Sequence, residues 1–300
     1  MGSMGAKLQA RGNDDRVRCD AMSTKAAGHR RIHFVDVDGI RIRAAIRGKG
    51  RPLLLVMGIG GNIEMWDPFE RALDGSGIQT ITFDAPGVGE STSWRRPRRM
   101  GGIARAVDHL VGELGYDAVD VLGVSFGGAL AQQLVRQSPA RVRRLVLAAT
   151  APGVPGLGGL PGRPSAMLAL ATPYRYYSPA YFRKVAPTLY GGRIRREPEL
   201  MAEQAHARLV RPPSLHGYAA QLYAMSWWTN FPWLPFIQHP TLVMAGDDDP
   251  IIPVLNGRIL AKLMPHARLE VITGGGHLFL LEEAERSAAL VRKFLAQRRA

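Results

Sequence analysis

The pentapeptide Gly123-Val124-Ser125-Phe126-Gly127 is the stretch of this chain best suited to covalent chemistry. It follows a short apolar run, residues 118–122, and opens a helical pattern, so it lies at a strand-to-helix turn. In such a turn the serine takes a strained backbone conformation, and small residues on either side let strand and helix approach closely. The pattern therefore predicts that Ser125 is a nucleophile exposed at the start of a helix.

A chain with 34 glycines can contain such a pentapeptide by chance. Whether Ser125 is catalytic therefore depends on the residues that the fold places around it. A serine hydroxyl needs an adjacent general base to react near neutral pH. His277 is the candidate, because it follows the glycines 274–276 after the last predicted strand and precedes the apolar residues 278–280, which can shield it from water. Both residues are expected at carboxyl ends of strands, where active sites of doubly wound sheets gather.

The acid that orients the imidazole is expected in the loop after the strand at 241–245. Three consecutive residues compete there, and Asp249 is preferred because Pro250 fixes its turn. Asp247 is nearer the strand, Asp248 is expected to point away from the site, and a solvated acidic turn remains an alternative for all three. An acid after the strand that follows the pentapeptide is excluded, because no Asp or Glu lies between Asp120 and Glu197.

The negative oxygen that develops during acyl transfer needs backbone donors aimed at it. The amide of Phe126, at the helix start, is one candidate, and the amide of Ile59 in the Gly58-Ile59-Gly60 loop is the other. Metal-ligand spacings and phosphate-binding loops are not found in the sequence. We therefore predict that the chain uses no cofactor and no metal.

The elements that must position these residues alternate between strand and helix, which predicts an α/β fold with a doubly wound, mostly parallel sheet. A continuous apolar run over residues 52–57 marks a strand buried on both faces. Further strands are predicted over residues 80–83, 144–149, 241–245 and 269–272. An Asp38-Gly39 turn joins residues 32–37 to 40–46 in a hairpin, and both of its strands are expected at a sheet edge. One amphipathic helix is expected over residues 282–297.

The alternation breaks in the middle of the chain, which divides it into three predicted parts. Residues 1–28 are a flexible basic tail outside the fold, and residues 29–150 with 240–300 form the core. Residues 151–239 form a helical cap, or lid, into which most of the tyrosines and tryptophans crowd. These aromatic residues fit either an ordinary helical core or the lining of an apolar substrate pocket.

Composition limits the possible partners of the chain. The net charge of +14 is concentrated in residues 1–50, with 11 Lys or Arg against 5 Asp, and in residues 151–239, with 9 against 3 Glu. The region around Ser125 is nearly neutral and no basic-aromatic module is present, so nucleic-acid binding is not predicted.

No apolar run is long enough for a membrane span and no signal peptide is visible, so we predict a cytoplasmic protein. Cys19, the only cysteine, is given no role.

With these pieces placed, the sequence resembles the α/β-hydrolase superfamily over about residues 32–295, and most resembles the intracellular medium-chain poly(3-hydroxyalkanoate) depolymerases. The segments that carry the likeness are Gly58-Ile-Gly60, Asp84-Ala-Pro-Gly-Val-Gly89, residues 123–133, Ala186-Pro-Thr-Leu-Tyr-Gly-Gly192, Arg196-Glu-Pro-Glu-Leu200, residues 246–253 and Gly276-His-Leu-Phe279. The segments within 186–200 are the more specific part, whereas those around Ser125 and His277 are shared across the superfamily. In two places, Phe126 and residues 154–164, the chain departs from the pattern.

The resemblance implies a serine esterase that cleaves polyesters of 3-hydroxy acids, with Ser125, Asp249 and His277 as its catalytic triad. Its partners would be small or polymeric esters and the surface of a polyester granule. A carboxylesterase or a carbon-carbon bond hydrolase of the same fold is the enzymatic alternative, and a hydrolase-fold binding protein is the non-catalytic one. Oligomeric state, chain-length preference and lid movement are not predicted from the sequence.

Overall fold

The computed structural model describes residues 29–197 and 199–297; the predicted tail at 1–28, with Cys19, lies outside the described residues. In the described chain, eight strands form one sheet in the order β1-β2-β4-β3-β5-β6-β7-β8. The strands are β1 (Arg31–Val37), β2 (Ile40–Arg47), β3 (Arg51–Val56), β4 (Ile78–Phe83), β5 (Val119–Val124), β6 (Val142–Ala148), β7 (Thr241–Gly246) and β8 (Ala267–Ile272).

All strand pairs are parallel except β1 with β2 and β2 with β4, which are antiparallel. The predicted α/β fold with a mostly parallel sheet is thus confirmed. The expectation that both hairpin strands are edge strands was wrong for β2, which lies between β1 and β4. The adjacent residues Ala44 and Ala45 point to opposite faces of the sheet and are both buried, as in a strand covered on both faces.

Helices follow most strands and cover the two faces of the sheet. They are α1 (Asp67–Ala72), α2 (Met100–Glu113), α3 (Phe126–Gln137), α4 (Pro164–Leu170), α5 (Pro179–Tyr190), α6 (Gly192–Arg196), α7 (Leu200–Val210), α8 (Leu215–Met225), α9 (Val254–Leu263), α10 (Phe279–Glu282) and α11 (Ala284–Leu295). The amphipathic helix expected over about 282–297 corresponds to α11, which begins at Ala284 and ends at Leu295. Glu283, with φ −117° and ψ 50°, separates it from the short α10.

Helices α4 to α8 lie between β6 and β7, and we call residues 151–239 the insertion. Its aromatic side chains Tyr176, Tyr218 and Trp228 are buried in the same hydrophobic core as the residues of the sheet. The indole of Trp228 donates a hydrogen bond of 2.9 Å to the Gln133 side chain on α3. The insertion therefore shares its packing with the sheet.

The Asp84 motif noted in the sequence has a structural role at the end of β4. The buried Asp84 carboxylate accepts hydrogen bonds from the amides of Ile63 (2.9 Å) and Glu90 (3.1 Å) and from Arg43 on β2 (3.1 Å). Gly89 is required because its φ is +56° and a Cβ there would overlap the Asp84 carboxylate. These contacts join β2 to the loops after β3 and β4, which explains the motif without assigning it chemistry.

None of the described helices is long and apolar enough to cross a membrane. Within the same residues, no group of three or more His, Cys, Asp and Glu side chains is arranged to hold a metal ion.

Candidate active site

Ser125 lies in the turn between β5 and α3, with φ 56° and ψ −119°. Residues other than glycine rarely adopt this backbone conformation, and such strain persists only where neighbouring groups hold the backbone in place. The Ser125 amide donates to the Ala148 carbonyl (2.9 Å), and its carbonyl accepts from the Thr150 hydroxyl (2.8 Å). The turn is thus held from the end of β6, the next strand of the sheet.

The two glycines of the pentapeptide lie where α3 packs most closely against the ends of β3 and β5. A Cβ on Gly123 would overlap the Gly127 carbonyl, and a Cβ on Gly127 would overlap the carbonyl of Val56 at the end of β3. Helix α3 therefore begins against the ends of β3 and β5, as the sequence predicted, and it carries Ser125 at its N-terminus.

His277 is held over Ser125 by the loop that follows β8. Its Nε2 lies 2.9 Å from Ser125 Oγ, and its Nδ1 lies 2.8 Å from Asp249 Oδ2. Because a carboxylate only accepts hydrogen bonds, Nδ1 carries the proton and Nε2 is left to accept from the serine hydroxyl. The structure therefore brings the three predicted residues into one hydrogen-bonded chain.

The three consecutive aspartates have three different partners. The second oxygen of Asp249 accepts from the amides of Ile251 (2.8 Å) and Ile252 (2.9 Å), which fixes the carboxylate toward His277. Asp247 accepts from the Gly274 amide (2.6 Å), and Asp248 accepts from the Gly192 amide (2.9 Å). Asp249 alone of the three contacts the imidazole, while the other two hold neighbouring loops.

The loop after β3 borders the nucleophile. A Cβ on Gly58 would lie 3.4 Å from Ser125 Cβ and 3.9 Å from Ser125 Oγ, so the loop passes directly beside the serine. Among the described residues, neither the Ile59 amide nor the Phe126 amide has a hydrogen-bond acceptor within the protein. Both predicted donors are thus available to a ligand.

Two side chains of the insertion hold this loop, and the sequence gave no sign of either role. The Tyr176 hydroxyl donates to the Ile59 carbonyl (2.6 Å), and the Gln221 side-chain oxygen accepts from the Gly60 amide (2.8 Å). These two groups bind opposite sides of the same peptide unit. They fix its plane, and with it the direction of the neighbouring Ile59 N–H.

The base is held by the insertion as well. The His277 amide donates to the Tyr190 carbonyl at the end of α5 (2.7 Å), and the Tyr190 ring stacks on the imidazole with centroids 6.4 Å apart. Burial alone would raise the pKa of Tyr190, but the nearby cations Arg175 and Arg208 hold it below its ordinary value. Only the crowding of aromatic residues in the insertion hinted at these contacts.

Ser125 and His277 open into a cavity between the sheet and the insertion. Its walls are mainly apolar, and they combine side chains of both parts: Met57, Ile59, Met65, Val124, Leu170, Ile251, Leu278, Leu280 and Leu281. Two arginines of the insertion, Arg175 and Arg208, also line it. Such a site suits a ligand with an aliphatic chain and a few polar groups.

Comparison with known proteins agrees with this architecture. Residues 51–284 match the family described as the alpha/beta hydrolase fold. A poly(3-hydroxyalkanoate) depolymerase of Ectopseudomonas oleovorans is 47% identical over 268 residues, which are 88% of this chain and 92% of that protein. A 2-hydroxymuconate semialdehyde hydrolase of Pseudomonas putida is 32% identical over 86% of this chain and 92% of its own length.

Solved structures show the same fold at lower identity. The enol-lactonase from Burkholderia xenovorans LB400 superposes with a TM-score of 0.75 at 24% identity, covering 88% of this chain and 100% of its own. An alpha/beta hydrolase fold protein from Chitinophaga pinensis gives a TM-score of 0.75 at 22% identity, covering 91% and 100%. At these identities the likeness concerns the fold alone.

Proposed function

We propose that this chain, which belongs to the α/β-hydrolase fold family, hydrolyses polyesters of the poly(3-hydroxyalkanoate) type or related aliphatic esters through an acyl-enzyme on Ser125. The observation that carries the substrate class is the 47% identity, over most of both chains, to a depolymerase of such polyesters. The contacts of Ser125, His277 and Asp249 support the serine mechanism.

In the first half-reaction Ser125 Oγ attacks the ester carbonyl while its proton passes to His277 Nε2. Asp249 stabilises the imidazolium that forms, and the amides of Ile59 and Phe126 donate to the negative oxygen of the tetrahedral intermediate. The intermediate collapses with cleavage of the acyl–oxygen bond, and the imidazolium gives its proton to the departing alcohol. Water, deprotonated by His277, then releases the acid from Ser125.

No cofactor enters these steps. A granule surface as partner belongs to the same proposal, because the insertion exposes large apolar side chains such as Trp227, which is 79% exposed. If Trp227 adsorbs to the polymer, Trp227→Ala lowers the fraction of protein that sediments with polyester particles. Equal sedimentation of both proteins would remove this partner. Activity in the cytoplasm stays a prediction from the sequence.

The deciding experiment measures acid release from a medium-chain polyester emulsion and from p-nitrophenyl esters of acetyl to dodecanoyl chain length. Ser125→Ala is expected to lower turnover on the order of a million-fold. Ser165→Ala, at an exposed serine of the insertion, is the matched control and should leave the rates unchanged. Retained hydrolysis in Ser125→Ala would overturn the mechanism.

The similarity to a 2-hydroxymuconate semialdehyde hydrolase keeps a carbon-carbon bond hydrolase as the second candidate. Turnover of 2-hydroxymuconate semialdehyde, with no release of acid from the emulsion, would favour it over the polyester activity. Good rates on short esters alone would favour a general carboxylesterase. A wild type inert on all of these substrates would favour a non-catalytic binding protein.

A further inference from the structure

Arg175 is a cation buried inside the candidate active site. It lies in the short turn Tyr174–Tyr176 of the insertion, is 1% exposed, and lines the same cavity as Ser125 and His277. Removing a guanidinium from water is costly unless an opposite charge compensates it. The position of Arg175 therefore calls for a counter-charge.

Dipoles and aromatic rings surround the guanidinium of Arg175. Its Nε donates to the Tyr190 hydroxyl (3.1 Å) and its Nη1 to the Thr172 carbonyl (2.8 Å). The guanidinium also lies 4.7 Å from the ring centroid of Tyr176 and 5.3 Å from that of Tyr218. In the described part of the chain, no carboxylate forms an ion pair with Arg175.

A second buried arginine, Arg208, also lines the cavity, and among the described lining residues there is no Asp or Glu. Arg208 interacts electrostatically with Glu282. Burial opposes the charge of Arg175, but the oxygens of Tyr190, Tyr176 and Tyr218 raise its pKa above the ordinary value. The guanidinium therefore stays charged.

The surrounding walls restrict the kind of anion. Apart from the arginines and the catalytic candidates, the lining is mainly aliphatic and aromatic, as at Leu170 and Ile251. Such walls favour an anion carried on an apolar chain over a small hydrated ion. A carboxylate also matches the fork of guanidinium donors.

Tyr190 connects the cation to the reacting groups. Its ring stacks on His277, and its hydroxyl accepts the hydrogen bond from Arg175. Arg175 thus lies one tyrosine side chain away from the base. Arg175 and His277 line the same cavity.

We propose that Arg175 binds the free carboxylate at the end of a hydroxy-acid ester chain, an inference that rests on the proposed function. In such a chain the terminal unit is the alcohol component of the last ester bond. When Ser125 attacks that ester carbonyl, the acyl–oxygen bond breaks and the alcohol oxygen takes the proton from His277. One hydroxy acid, with its carboxylate on Arg175, then leaves from the carboxyl end.

The test compares a medium-chain 3-hydroxyacyl-3-hydroxyalkanoate dimer with its methyl ester, in which an uncharged ester replaces the terminal carboxylate. The measured reaction is cleavage of the ester bond between the two units. The wild type is expected to favour the free acid in kcat/KM by about tenfold or more, as for a charge-assisted contact. Arg175→Gln should reduce this ratio to about one, and Arg175→Lys should retain part of it. Arg183→Gln, at an exposed arginine of the insertion, should keep the wild-type ratio.

Two results would overturn the proposal. One is a wild type that hydrolyses both dimers equally well, a measurement that needs no variant to fold. The other is an Arg175→Gln protein in which both rates change while their ratio does not, since a structural role alone predicts this. A wild type inert on both dimers, and on neutral esters, would count against the proposed function instead.

Discussion

At the scale of single residues, the site depends on which of several similar groups faces the imidazole. Asp247, Asp248 and Asp249 are adjacent in the chain, yet only Asp249 contacts His277, and two backbone amides of the following turn fix its other oxygen. The neighbouring aspartates bind loop amides instead. The assignment of roles is therefore a matter of side-chain direction.

Asp249→Asn is expected to lower kcat on p-nitrophenyl esters by about ten-thousand-fold, because an amide donor at this place favours the wrong tautomer of His277. The neighbouring substitution Asp247→Asn changes an exposed residue outside the hydrogen-bonded chain and should leave kcat within about threefold. Steady-state kinetics on the folded variants would check both, and equal effects at the two positions would contradict the assignment.

Tyr176→Phe should reduce kcat by about tenfold with little change in KM. Its hydroxyl donates to the Ile59 carbonyl and so holds the peptide next to the Ile59 amide. A less well placed oxyanion donor lowers kcat by less than the 100- to 1,000-fold expected when a donor is lost. Affinity for a phosphonate or boronate transition-state analogue should fall by the same factor as kcat. Tyr174→Phe, at an exposed tyrosine nearby, serves as control. Weakened substrate binding at unchanged kcat would argue against a positioning role.

At the scale of elements, the loop that carries His277 is joined to the insertion near the boundary of α5 and α6. A Cβ on Gly192, whose φ is +58°, would overlap the backbone of Gly276. Glu282 on α10 accepts from the Arg193 amide at 3.1 Å, and Arg193 donates to the Glu282 carbonyl at 2.7 Å. The position of the base therefore depends on helices of the insertion as well as on β8.

Glu282 makes this junction dependent on pH. Burial raises the pKa of its carboxyl to about 7, although the Arg193 and Ile194 amides oppose the shift. The contribution of Glu282 to stability is therefore fully present below its unfolded pKa near 4.5. As the pH rises toward 7, the free energy of unfolding falls by at most about 3 kcal/mol. Over this interval Glu282→Gln should gain stability relative to the wild type.

Urea denaturation of both proteins between pH 4.5 and pH 8 measures this gain. Glu285→Gln, at an exposed glutamate on α11, should follow the wild-type profile throughout. Parallel profiles for wild type and Glu282→Gln would show that Glu282 ionises normally in the folded protein.

At the scale of the whole molecule, the insertion packs on the sheet through two hydrophobic clusters. Tyr218 and Trp228 lie in the core of the sheet, and a second cluster joins Phe182 and its neighbours to Ile251 and Leu278. Tyr218 is buried among residues of both parts, and Asn62 in the loop after β3 donates to the carbonyls of Ala207 (2.8 Å) and Arg211 (2.9 Å) at the end of α7. With Tyr176 and Gln221, these contacts tie the insertion to the loop beside Ser125. We therefore expect the insertion and the sheet to unfold together.

Tyr218→Ala should lower the midpoint of a single thermal transition, because removing a buried aromatic ring costs about 3–5 kcal/mol. Tyr174→Ala, which removes an exposed ring, should shift it little. Calorimetry and circular dichroism should report the same midpoint for each protein. Two separated transitions would contradict the shared packing and would show that the insertion unfolds by itself.

Much of the fold follows from local patterns. A continuous apolar run predicted β3, because a strand covered on both faces must be apolar along its length. The alternation of strands with helices predicted β5 and β7. The pentapeptide around Ser125 predicted its turn, because only glycine permits the close crossings at 123 and 127. The hairpin turn at 38–39 was predicted as well, but the position of β2 inside the sheet was not, since strand order depends on distant pairings.

The sequence by itself thus determined the α/β architecture and proposed Ser125, Asp249 and His277 from their place after strands. Only the tertiary structure decided what surrounds them. Tyr176 and Gln221 reach the Ile59–Gly60 peptide from far along the chain, and Arg175 enters the cavity from the same insertion. Such contacts join residues with no local pattern in common, because side-chain direction and long-range packing are set only when the insertion folds onto the sheet.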